Sequence, residues 1–200
     1  MVIILMLVLK VVVIVLLAKF CFMNRHETPS ALEAIHTRTS IRSYTDEAVT
    51  SEQIEYLLRA AMAAPSSRNV QPWLFYVVSE KATLKELGAA LPFAKMLDHT
   101  PLAIVVCGDI TKGNPNPEQV NNWIMDCSAA TQNLLLAAQS MGLGAVWTGV
   151  YPYHDRISAV KAILDLPEHL IPLNVIPVGH PAVKPEPKDK WDPEKVIGWP

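Results

Sequence analysis

Arg38-Thr39-Ser40-Ile41-Arg42 puts two guanidiniums and two hydroxyls within five residues. A guanidinium fork matches phosphate oxygens in bidentate fashion, and short hydroxyls fill the acceptor positions that remain. Far along the chain, Pro187-Lys188-Asp189-Lys190 offers two more cations on a proline-stiffened tail. A third stretch, Pro65-Ser66-Ser67-Arg68-Asn69-Val70-Gln71-Pro72-Trp73, presents hydroxyl and amide groups between two prolines that fix its shape. Each stretch also has a plainer reading. Charged clusters are usually solvated surface, and the turn reads as a well-capped connection with Trp73 as a core anchor. The chemistry open to these residues is anion binding.

Other chemistries have no handle in the sequence. Ser66, Ser67 and Ser128 sit in no G-x-S-x-G elbow, so nucleophilic hydrolysis is not indicated. His26, His36, His99, His154, His169 and His180 are scattered, with no H-E-x-x-H and no His/Cys cluster at metal spacing, so no metal is expected. No Walker loop occurs, and no G-x-G-x-x-G follows a strand. Cys21, Cys107 and Cys127 lie far apart without a C-x-x-C pair, so neither a disulfide scaffold nor a zinc knuckle is supported. Cys107 and Cys127 read as small core residues.

The elements that must position these groups follow from periodicity and caps. Ser30 with Glu33 opens a short helix that ends near His36–Thr37, just before Arg38. Thr50 with Gln53 opens a second, whose Ile54, Leu57, Leu58 and Ala61 recur at helical spacing until Pro65 stops it. Trp73–Val78 is an apolar, β-rich run that reads as a central strand. A helix over Lys81–Ala90 and a buried strand over Leu102–Cys107 come next, bounded by Gly108-Asp109. Asn116 caps a long helix with Pro117 at its first position, and Gly142 ends that helix. Gly144–Gly149 reads as one short strand. A helix over Asp155–Leu164, a strand over Leu173–Val178 and a Pro/Lys-rich tail complete the order. The mixture lacks βαβ regularity, so the fold class is α+β with one central sheet between helices.

Two hundred residues suit one domain with a short appendage. Seventeen Lys and Arg against nineteen Asp and Glu give a net charge of −2, which argues against a nucleic-acid groove. The mean hydropathy of +0.22 is high because of the leader, residues 1–23, which precedes a domain over 24–200. Between Val2 and Phe22 only Lys10 and Lys19 are charged, and that length approaches a bilayer span. Three readings fit: a membrane anchor through residues 1–22, a cleaved signal peptide, or translation that begins at Met23. As an anchor, Lys19 and Arg25 after the apolar run put the domain in the cytoplasm.

Taken in order, Arg38-Thr-Ser-Ile-Arg-Ser-Tyr44, Ala64-Pro-Ser-Ser-Arg-Asn-Val-Gln-Pro-Trp73, Asp126-Cys-Ser-Ala-Ala-Thr-Gln-Asn133 with Gly142-Leu-Gly-Ala-Val-Trp-Thr-Gly149, and Val178-Gly-His-Pro181 resemble the FMN-dependent nitroreductase family. The resemblance runs from about Ala31 to about Lys190. It implies a central, mostly antiparallel sheet flanked by helices, in an interlocked homodimer with two FMN sites at the subunit interface. It assigns the FMN phosphate and ribityl chain to Arg38, Thr39, Ser40 and Arg42, helped by Lys188 and Lys190. By the same resemblance, Pro65, Ser66, Ser67, Asn69 and Gln71 reach the flavin ring of the partner subunit. A backbone N–H at Thr148 or Gly149 faces flavin N5.

The family often carries Arg where this chain has Thr39. Larger members also insert helices where this chain has only Asp109–Pro117, which implies an open pocket. The related iodotyrosine deiodinases have a Glu/Tyr/Lys substrate lid with no clear counterpart here. The implied activity is reduction of a small electron-poor acceptor, such as a nitroaromatic, a quinone or an activated alkene, with NADH or NADPH as donor. No catalytic side chain is needed, because the cofactor carries the chemistry. One alternative, an FMN storage module without rapid NAD(P)H turnover, shares the binding residues; another, a membrane-tethered noncatalytic scaffold that has lost flavin, is disfavoured by the retained Arg38, Ser40, Arg42, Asn69 and Lys188.

Overall fold

The computed structural model describes residues 29–112 and 121–198; the apolar leader and the Asn116-Pro117 helix start lie outside the described residues. Helix α1 spans Ala31–Thr37, with the Ser30 hydroxyl accepting the Glu33 N–H. Helix α2, Ser51–Met62, carries a full capping box: Thr50 Oγ1 accepts the Gln53 N–H, and Gln53 Oε1 accepts the Thr50 N–H. Strand β1 is Trp73–Val78, α3 is Lys81–Ala90, β2 is Leu102–Asp109 and α4 is Asn122–Ser140. Then come β3 at Gly144–Ala145, β4 at Thr148–Gly149, α5 at His154–Leu164 and β5 at Leu170–Gly179. Among the described residues every strand pairing is antiparallel, in the order β1-β2-β5-β3, with β4 also on β5.

Both faces of the sheet are buried, as alternation along β2 shows. Leu102, Ile104 and Val106 pack with Leu57, Ala61, Leu134 and Ala138 of α2 and α4. Ala103, Val105 and Cys107 pack with Leu84, Leu87 and Val160 of α3 and α5. Each fully buried leucine contributes about 1.5–3 kcal/mol. Cys107 and Cys127 are free and buried, as their sequence context indicates, and burial pushes both thiols up to about 12. Strand β2 runs two residues beyond Cys107 because the Asp109 N–H bonds the Pro72 carbonyl and Gly108 leaves room for the Trp123 ring, which a Cβ there would strike.

Gly144–Gly149 is not one strand. It is two short pieces, β3 and β4, separated by Val146 and Trp147, and the cause lies across the sheet. Both pieces share one register on β5, Ala145 facing Val178 and Thr148 facing Val175, so Val146 falls opposite Pro177. Proline has no N–H to give the ladder. The pairing therefore lapses there, and Trp147 is left partly exposed at the edge. Among the described residues no helix is long and apolar enough to cross a membrane.

Candidate cofactor site

The segment after α1 is held against the free edge of β3. The Ile41 N–H donates to the Ala145 carbonyl at 3.1 Å, and Ile41 is buried. Its side chain sits where a Cβ on Gly144 would come within 2.6 Å, so Gly144 is the residue that lets this segment approach. Tyr44 clamps the same segment to β5, its hydroxyl donating to the carbonyls of Ile41 (2.7 Å) and Pro177 (3.2 Å). Burial pushes that hydroxyl well above its ordinary pKa, with Arg42 nearby opposing the shift.

The tail returns to the same place through backbone bonds. Thr45 N–H donates to His180 O, Ala182 N–H donates to Ser43 O, and Tyr44 bridges Pro181. The result is a cavity of about 880 Å³ between two walls. Arg38, Thr39, Ser40 and Arg42 form one wall, and Lys188, Lys190 and their neighbours form the other. Six of the residues singled out in the sequence thus converge from opposite ends of the domain. Among the described residues none of the four cations sits in a salt bridge. Glu186 and Asp189 also line the cavity, as do Ile35, His36 and Trp191, which sequence patterns did not single out. A cavity of this size with unpaired guanidiniums, ammoniums and hydroxyls attracts a phosphate-bearing ligand.

Thr148 and Gly149 lie further along the same edge. The Val150 N–H donates to the Leu173 carbonyl, so by antiparallel alternation the N–H and C=O of Gly149 point away from β5. The Gly149 carbonyl accordingly accepts from Arg156 Nη1 at 3.0 Å, while its N–H faces the open edge. A Cβ on Gly149 would meet nothing in the chain nearer than 3.9 Å, the Trp147 indole nitrogen. No packing contact in the fold therefore requires a glycine there. Thr148 pairs inward with Val175 and is buried, which leaves Gly149 as the available amide. The cation-lined cavity and the outward Gly149 N–H along the same edge together fit FMN.

Pro65, Ser66, Ser67, Asn69 and Gln71 do not join this cavity. Their turn precedes β1, on the opposite edge of the sheet from β3. Arg68, Asn69 and Gln71 all have positive φ, near 50° to 57°, a costly backbone for non-glycine residues. Asp126 Oδ1 accepts the Ser67 N–H, Asn122 donates to the Ser67 hydroxyl, and Ser66 Oγ accepts the Gln71 N–H. The sequence offered one signal for this bracing, a carboxylate on the apolar face of a long helix.

A profile described as the nitroreductase family matches residues 35–92 and 88–180. A protein of Methanothermobacter thermautotrophicus, provisionally named NADH dehydrogenase/NAD(P)H nitroreductase, is 45% identical over 166 residues, covering 82% of this chain and 84% of its own. The crystal structure of a Parabacteroides distasonis protein with the same provisional name is 52% identical, with a TM-score of 0.79 over 86% of this chain and 99% of that one. A nitroreductase-type protein from Desulfovibrio desulfuricans, solved in complex with FMN, is 30% identical, with a TM-score of 0.74 over 86% of this chain and 98% of that one. The fold, the order of motifs and these likenesses agree: the chain belongs to the nitroreductase family.

Proposed function

We propose that this chain is an FMN-dependent oxidoreductase that takes electrons from NADH or NADPH and passes them to a small electron-poor acceptor, a nitroaromatic, quinone or activated alkene, the two substrates using one site in turn. The observation that carries the reading is the convergence of Arg38, Arg42, Lys188 and Lys190 on one cavity, along the same sheet edge as the outward Gly149 N–H. Arg38 and Arg42, with Thr39 and Ser40, hold the phosphate end and Lys188 and Lys190 close over it. Gly149 supplies the amide at N5, and its missing side chain admits the ring. Bound FMN supplies the electron relay, so no acid, base or nucleophile is required of the protein.

The site is completed by a second copy of the chain. The turn carrying Pro65, Ser66, Ser67, Asn69 and Gln71 lies too far from the cavity of its own chain, and serves the cavity of the partner. Exposed Leu32 and Ile35 on α1 and Met125 on the neighbouring α4 supply apolar surface for that contact. The purified protein should be a yellow homodimer whose flavin absorbance bleaches under anaerobic NADH or NADPH and returns on adding a quinone. Flavin that stays oxidised under excess of both nucleotides would overturn the turnover and leave an FMN-binding module.

A further inference from the structure

Of the two outward groups on Gly149, the carbonyl is covered. Arg156 donates to it at 3.0 Å, and the guanidinium carbon lies 3.8 Å from the centroid of the Tyr153 ring. The cation is therefore seated from two sides, in the first turn of α5, where the helix dipole adds further positive potential. An edge residue normally shows donor and acceptor side by side, and the acceptor's lone pairs repel an electron-rich partner at the donor. With its carbonyl capped by a guanidinium, Gly149 shows an N–H backed by a full positive charge.

We infer that Arg156 is a positioning residue that acts through Gly149 to favour reduced over oxidised FMN. The inference rests on the reading above that FMN lies along this edge, and adds a residue that none of the sequence motifs contains. Arg156 and Tyr153 follow Gly149 by seven and four residues, on its α5 side, and neither lines the cation cavity, which lies on the α1 side.

Anaerobic titration of the full chain with oxidised FMN and with dithionite-reduced FMN gives two dissociation constants, whose ratio is the readout. Arg156→Gln keeps a donor for the Gly149 carbonyl but removes the charge; Arg156→Lys keeps the charge. The Gln variant should lose about tenfold of the preference for reduced FMN, a midpoint potential lower by about 30 mV for a two-electron couple. The Lys variant should keep most of that preference. If Arg156 were merely structural, both redox states would weaken alike and the ratio would hold, which overturns the inference; so does a Lys variant as impaired as Gln. Should the Gln variant not fold, Tyr153→Leu unseats the cation and should shift the ratio the same way, and an unchanged ratio counts against us. Wild-type protein that binds neither state would instead overturn the FMN reading itself.

Discussion

Asp126 Oδ1 accepts the backbone N–H of Ser67 at 2.9 Å, joining α4 to a turn 59 residues earlier in the chain. Three non-glycine residues of that turn hold positive φ, at roughly 1–3 kcal/mol each, and the buried carboxylate braces the turn together with Asn122 and Ser66. Asp126→Ala should cost about 1.5–3 kcal/mol in urea unfolding, the worth of a hydrogen bond to a charged group. It should also open Arg68 to limited proteolysis. Asp126→Asn, which keeps an acceptor oxygen, should recover part of both.

Two glycines five residues apart should behave oppositely when changed to alanine. At Gly144 the new methyl meets Ile41 at 2.6 Å, so Gly144→Ala should destabilise the fold by about 1–3 kcal/mol and dislodge the Arg38–Arg42 segment. At Gly149 the methyl meets no chain atom nearer than 3.9 Å. Gly149→Ala should change stability by less than about 1 kcal/mol, while weakening FMN binding at least about tenfold. Thermal melts of the apo-proteins beside flavin titrations separate the two effects.

The buried thiols set an alkaline limit. Burial raises Cys107, with Lys161 partly opposing it, and raises Cys127, with Cys107 and Asp126 adding to the shift. A group whose pKa rises on folding stabilises the fold below its ordinary value and loses that contribution as pH climbs through the raised one. Stability should therefore fall between pH 9 and about 12. The Cys107→Ala/Cys127→Ala double variant should show a shallower decline in urea midpoint across that window, and an identical slope would contradict this.

How far the sequence carries is clearest at particular residues. Caps at Ser30 and Thr50 and the apolar runs at Trp73 and Leu102 announced their elements because each signal is local. The convergence of Lys188 with Arg38 was legible only through resemblance to a family, since nothing in either stretch points to the other. The break at Val146 escaped because its cause, Pro177, is a cross-strand neighbour that only the register reveals. Arg156 escaped for a similar reason, its bond to Gly149 spanning a loop that no periodicity describes.

The central claim, that four cations gather around one flavin phosphate, is tested most directly by comparing FMN with riboflavin, which lacks the phosphate. Wild-type protein should bind FMN far more tightly, and Arg38→Ala and Lys188→Ala should each lose about 1.5–3 kcal/mol of FMN affinity while leaving riboflavin affinity unchanged. Equal affinity for the two flavins, or loss of both in the variants, would contradict the account.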